Sequence, residues 1–380
     1  MRDSNIHLPG LNGLRFFSAL AVILSHIELL KMAFGFHHQW NHPVFFYLGG
    51  IGVYFFFVLS GFLITYLLLK EKEQTANIDV KKFYIRRILR IWPLYYLITI
   101  IGFFILPNFS EIKISYLEHS FQLNYYPMLI LYLLILPNIA TAIYGHVPHI
   151  GHLWTIGVEE QFYIIWPIFI KKFADNLIPS VTKLIFAIIS IKAAILFSFP
   201  FLLKNFPSIL YIKEFFAGFK IESMAIGSIG AYLLWSNHKI LHLLFTPFIH
   251  AIAWLLIPLL IFFTPSFIQD ANHLVYSIAF IIIILNISSN KKSFIKLENP
   301  ILNFFGKISY GIYMYHFMII PIIIYFLKKN QININSHIGN IYLYSLSILL
   351  TLLIASISYY FFEKPFLNIK NKFSIIHSKI

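Results

Sequence analysis

The chain has 380 residues, 59% of them hydrophobic and 12% charged, and its mean hydropathy is +0.76. The charged share is about half the roughly 25% of a soluble domain, so a water-soluble fold is excluded and the composition is that of a polytopic membrane protein. The formal net charge is +14. The basic residues fall mostly in short connections between apolar runs, which points to topology and anionic lipid headgroups and away from nucleic acid. The absence of Cys rules out a disulfide framework and a thiolate metal site.

Ten spans are predicted in chain order, at about 14–33, 47–69, 92–106, 154–171, 183–203, 218–236, 247–264, 273–288, 308–327 and 341–362. Each is long enough, or nearly so, to cross a hydrocarbon core of roughly 30 Å. The run 128–136 is too short to span and reads as an interfacial or re-entrant piece. The expected fold class is all-α, a membrane helical bundle forming one domain over residues 1–380 with a short tail at 363–380. Lys and Arg gather at 70–90, 171–183, 291–307 and 364–379. By the positive-inside rule this puts both termini in the cytoplasm. The first apolar stretch carries Arg15 and His26, so it is read as a retained span and not as a cleavable leader.

Arg15 and His26 lie eleven residues apart in that span. On a helix this is three turns, so both share nearly one face and are separated by roughly 16 Å along the axis. Ionisable groups inside a span are costly and usually face a protein interior or a watery cavity. The competing account is an arginine snorkelling to headgroups and a histidine bonded to backbone. Gly49-Gly50-Ile51-Gly52 and Ser60-Gly61 in the second span read as close helix packing.

The segment from Lys81 to Pro93 holds Arg86, Arg87 and Arg90, and only Arg2 and Arg15 lie elsewhere. Arg is chosen over Lys where phosphate is gripped in a bidentate fork; a juxtamembrane anchor explains Lys81 and Lys82 equally well. Next come the outer-loop histidines His146, His149 and His152, whose spacing fixes no ligand geometry, so no metal is expected. The fourth span opens with Glu159 and Glu160, two adjacent carboxylates at a membrane entrance. The helix dipole accounts for Glu160. Glu159 shares a face with His152 and Tyr163, from which it could orient His26 across the bundle. Glu222, near the outer end of the sixth span, and His316, on a face close to that of Tyr310 and Tyr313, are either a structural network or the wall of the same site.

Five ordered blocks carry a resemblance: Arg15 with His26; Gly52-Val53 through Ser60-Gly61-Phe62-Leu63; Phe83-x2-Arg86-Arg87-x2-Arg90-Ile91-x-Pro93; Leu153-Trp154 through Val158-Glu159-x-Gln161-Phe162-Tyr163; and Ser309-Tyr310-Gly311-x-Tyr313-x2-His316. Together, over residues 8 to 366, they resemble the acyltransferase-3 family of integral-membrane O-acyltransferases. Lys220-Ile221-Glu222 is similar to a basic-x-acidic triplet of that family, with Lys in place of Arg. The resemblance implies transfer of an acyl group, commonly acetyl, from cytoplasmic acyl-CoA to a hydroxyl of a surface or exported glycan such as lipopolysaccharide O-antigen or exopolysaccharide. It implies a multi-pass plasma-membrane protein, the inner membrane in a Gram-negative cell, acting among membrane lipids on a glycan or lipid-linked glycan. Some relatives carry an extra extracytoplasmic domain; this chain is expected to complete transfer alone or with a separate extracytoplasmic partner. In this reading Arg86, Arg87 and Arg90 hold the CoA phosphates, Arg15 steers the pantetheine arm, His26 and Glu159 carry the chemistry, and Tyr163, His152, Glu222, Tyr310 and His316 form the wall. The competing classes are a proton-coupled transporter or flippase, which would be expected to show inverted repeats, and a scaffold with a decayed site.

Overall fold

The computed structural model describes residues 5–263, 271–374 and 376–378. Residue 264 of the seventh predicted span, together with Arg2 and Lys379, lies outside the described residues. Among the described residues the regular structure is helical, apart from two two-residue strands, β1 (Asn5–Ile6) and β2 (His377–Ser378), which pair in parallel and bring the two ends of the chain together.

Local chemistry sets the main boundaries. Helix α1 (Leu11–Ala33) starts behind Gly10, whose φ of 73° favours glycine. Helix α2 (Pro43–Thr75) has proline in its first turn, where no N–H is missed, and stops at Ala76, which adopts a left-handed φ of 57°. Asp79 caps α3 (Val80–Ile100) through the Lys82 N–H at 2.9 Å. A π turn (Ile101–Ile105) continues α3. Three short helices follow, α4 (Ser115–Leu123), α5 (Tyr125–Leu133) and α6 (Pro137–Tyr144). The apolar run 128–136 thus lies only in part, over 128–133, in the nine-residue α5, and the chain turns at Ile135, whose φ is 58°. Such a helix is too short to span.

The rest of the bundle is α7 (Trp154–Phe173), α8 (Leu177–Leu203), α9 (Ile209–Gly218), α10 (Ile221–Trp235), α11 (Leu241–Leu244), α12 (Pro247–Phe263), α13 (Asn272–Ser289), α14 (Pro300–Lys307), α15 (Ser309–Lys329) and α16 (His337–Ser358). A second π turn (Tyr359–Glu363) leads into α17 (Lys364–Asn371). Among the described residues seven helical runs are long and apolar enough to cross a membrane, and one of them, 151–203, joins α7 and α8. Each of the ten predicted spans coincides with a helix, although α10 and α12 have only 15 and 17 residues.

Helix α2 stands between two cores, one shared with α1, α3, α7, α15 and α16 and the other with α10, α12 and α13. Its small residues allow this. A Cβ on Gly61 would strike the carbonyl of Met224 in α10, and one on Gly52 would meet the carbonyl of Ser18 in α1. The Lys72–Asp175 ion pair at 2.9 Å and the Trp235–Glu73 hydrogen bond at 2.9 Å place three connections at the end of the bundle that also holds both chain ends. At the opposite end Lys31 bonds Glu28 at 2.8 Å and Asn340 at 2.9 Å, tying α1 to α16.

Candidate active site

The site is a column between α1, α2, α3, α7 and α15. It begins at the end of the bundle holding both chain ends, where α3 presents Arg86, Arg87 and Arg90. Arg86 is committed locally: its Nη2 meets Glu71 Oε2 at 3.0 Å and its Nη1 donates to the Phe373 carbonyl at 3.0 Å. Arg87 lies over the rings of Phe83 and Tyr163, at 5.5 and 5.7 Å, with a buried Nε that finds no acceptor. Arg87, Arg90 and Arg15 have no ion-pair partner among the described residues. Uncompensated charge in a protein interior is expensive, and these guanidinium groups have no carboxylate at ion-pair distance among the described residues.

From the arginines a chamber of about 970 Å³, its open mouth included, runs inward past Ser60, Glu159 and Tyr163 to Thr155 and Tyr313. Ser60 Oγ donates to Glu159 Oε1 at 3.0 Å and Tyr163 OH donates to Oε2 at 3.1 Å. Glu160 faces the other way: its Oε2 accepts from Trp92 Nε1 at 2.9 Å. The two neighbouring carboxylates therefore serve different helices, Glu159 the chamber and Glu160 the α3 contact. Tyr310 lines the chamber and donates to the Ile91 carbonyl at 2.9 Å.

The chamber closes where Thr155 Oγ1 and Tyr313 OH meet at 2.8 Å and Tyr313 OH donates to the His152 carbonyl at 3.0 Å. Behind Tyr313 stand three imidazoles. His26 Nδ1 lies 2.7 Å from His316 Nε2, with the two ring planes within 3° of each other. His316 Nδ1 lies 2.6 Å from the Tyr313 carbonyl. His152 sits with its ring 4.9 Å from that of His316.

This order of contacts assigns the protons for neutral rings. A carbonyl only accepts, so His316 Nδ1 carries hydrogen and donates. His316 Nε2 is then an acceptor, and His26 Nδ1 must donate to it. The lone pair left over is on His26 Nε2, so the His26 ring presents a basic nitrogen held in orientation by His316.

Three expectations change. Arg86, expected on the donor phosphates with Arg87 and Arg90, has its Nη groups committed to Glu71 and the Phe373 carbonyl. Glu159 does not orient His26: its oxygens are engaged by Ser60 and Tyr163, nearer the arginines, and the partner of His26 is His316. Glu222 is not in the wall of this chamber. It lies on the other side of α2, where Oε1 pairs with Lys192 Nζ and with His273 Nε2 at 2.7 Å. Its charge is answered by α8 and α13, which no spacing in the sequence connected to it. His152, Tyr163, Tyr310 and His316 do fall in or beside the column. Sequence reasoning also missed Lys370 of α17, which lines a chamber with Arg86, Arg87 and Arg90; as one lysine in a basic tail it gave no signal. Among the described residues no group of three His, Asp or Glu side chains is placed to hold a metal ion.

One membrane-type helical bundle thus holds guanidinium groups at the mouth of a chamber and imidazoles behind Tyr313 at its inner end. Residues 8–360 match the acyltransferase domain family, and the chain belongs to it. Over 95% of its length it is 29% identical to a Staphylococcus aureus protein (strain COL) named as a candidate O-acetyltransferase. Over 94% of its length it is 27% identical to the O-acetyltransferase OatA of S. aureus strain NCTC 8325. The chain spans 57% of the length of each of these relatives. No solved structure matches it.

Proposed function

We propose that the protein is a plasma-membrane O-acyltransferase that moves an acetyl group from cytoplasmic acetyl-CoA to a hydroxyl of a surface or exported glycan. One observation carries this reading: a single chamber has guanidinium groups without carboxylate partners at one end and, behind Tyr313 at the other, an imidazole with a free basic nitrogen. The mouth takes the cytoplasmic side, following the positive-inside rule. Arg87 and Arg90 hold the donor phosphates, Arg86 braces the loop beside them, and Arg15 steadies the arm on its way in. Arg15 and His26 are separated along α1 by roughly 16 Å, a span the pantetheine arm can bridge once Tyr313 swings aside.

His26 Nε2 takes the proton of the acceptor hydroxyl as its oxygen attacks the thioester carbonyl. The C–S bond then breaks and the departing sulfur takes the proton back from His26 Nε2, leaving an acetyl ester and free thiol. His316 keeps the imidazole in the competent tautomer throughout, and Glu159, held by Ser60 and Tyr163, shapes the passage between the arginines and the histidines. Holding donor and acceptor together supplies further rate by proximity.

The test is purified protein with acetyl-CoA and a glycan acceptor, with ester formation read by mass. His26→Ala should lower transfer about a thousandfold, and undiminished transfer by that variant sinks the assignment. Acetyl-CoA should also raise the melting temperature of the wild type, because a ligand that binds only the folded state stabilises it. A flippase for glycans would show no such response.

A further inference from the structure

We infer that the donor site is completed by the C-terminal segment, with Lys370 as a phosphate-binding cation opposite Arg87 and Arg90. The inference rests on the reading of the arginine cluster as the donor site. Every residue it adds lies beyond residue 360, where the family match ends.

The π turn Tyr359–Glu363 redirects the chain at the end of α16, and α17 packs back against α3. Two contacts hold the segment there. Arg86 Nη1 donates to the Phe373 carbonyl at 3.0 Å, and β2 pairs with β1, His377 opposite Asn5 and Ser378 opposite Ile6. π turns inside helices are frequent at functional sites; this one carries a wall across the mouth.

That wall encloses a second chamber of about 870 Å³, its open part included, with Arg86, Arg87 and Arg90 on one side and Lys370, Asn371 and Ser374 on the other. Arg87 and Arg90 line both chambers, so the mouth adjoins the passage that ends at Tyr313. Lys370 is half-buried, faces the same arginines, and has no ion-pair partner among the described residues. It lies within electrostatic range of Arg90, Arg87, Arg86 and Arg15. Four cations gathered around a polar cavity repel one another unless an anion stands between them. Glu71 answers Arg86 alone.

The ligand that fits is a nucleotide bearing several phosphates, since each phosphate monoester brings about two negative charges near neutral pH. The CoA end of the donor meets this description and its pantetheine end does not. Lys370 therefore grips the nucleotide, and Asn371 and Ser374 offer neutral hydrogen-bonding groups beside it.

The experiment is CoA titration of the full chain in detergent, read by the shift in melting temperature, with acetyl-pantetheine as a phosphate-free donor in a parallel transfer assay. Lys370→Ala should weaken CoA binding about tenfold, in line with losing a charge-assisted hydrogen bond, and Lys370→Arg should restore most of it. Ser374→Glu, which sets a carboxylate into the same wall, should weaken binding at least as much. Transfer from acetyl-pantetheine should be the same for all three variants and the wild type. CoA affinity unchanged in both Lys370→Ala and Ser374→Glu overturns the inference while the donor reading stands. A wild type that does not bind CoA at all overturns the donor reading itself, and this inference with it.

Discussion

Two buried polar clusters flank α2, and they differ in how their charge is answered. On the α10 side Glu222 is met through Oε1 by Lys192 and His273, while its buried Oε2 has no hydrogen-bond partner among the described residues. On the α1 side Arg15, Arg87 and Arg90 share a chamber with one carboxylate, Glu159, which is itself bonded to Ser60 and Tyr163. Both clusters are costly in a membrane interior. The first carries its counter-charge within the chain, on Lys192. The second has no such counter-charge at ion-pair distance among the described residues, and the proposed function assigns it to the donor. The same contrast separates Arg86, paired to Glu71, from its neighbour Arg87, unpaired one residue later.

The comparison can be broken from either side. The largest effect is expected at the far end of the arginine chamber: His26→Ala should lower kcat about a thousandfold, the range of general-base catalysis, while CoA-dependent stabilisation stays as in the wild type. Equal loss of CoA response would mean that the histidines and the arginines are not separate functions. On the α10 side, Glu222→Gln removes the carboxylate and leaves Lys192 without its partner. Breaking a buried pair costs about 3 kcal/mol, so the melting temperature without ligand should fall while the remaining folded protein binds CoA normally. A selective loss of CoA binding would instead make Glu222 part of the site.

A finer cut tests the proton order. His316→Ala should reduce kcat about tenfold to hundredfold with little change in donor KM, because His26 keeps its place on α1 but loses the acceptor for Nδ1. His316→Gln, whose amide oxygen can accept, should recover part of the rate. If both variants act on KM alone, His316 is a wall residue. The smallest effect lies outside both clusters. Asp79 caps α3, the helix that carries the arginines, and removing it by Asp79→Ala should cost about 1 kcal/mol. The Lys82 N–H is the main cause holding the Asp79 carboxyl below its ordinary range. The cap's contribution is therefore full above about pH 4 and is lost as pH falls through the lowered value. Thermal melts of wild type and variant should converge in acid.

The helices were legible because apolar runs of span length have few alternative uses, and the Arg15–His26 pair was legible because both groups lie on one helix with fixed geometry. The partner of each group was not. A helical face read from α1 says where His26 points but not which of the other helices stands opposite, and the answer, His316, is 290 residues away. Glu159 had the right depth for the column, yet Ser60 on α2 and its own neighbour Tyr163 claim it first. Glu222 was open between a structural network and the site wall until α8 and α13 supplied its partners. Lys370 was hidden for a different reason: a π turn, invisible to hydropathy, carries a tail lysine back across the mouth of the bundle.

The central claim is that the unanswered guanidinium groups exist for the donor. The direct test is the acetyl-CoA response of the double variant Arg87→Gln, Arg90→Gln. For the wild type, acetyl-CoA at a hundredfold excess over Kd should stabilise the fold by about 2.7 kcal/mol. The double variant should be folded and show almost none of this shift at the same concentration. A double variant stabilised as much as the wild type would contradict the account.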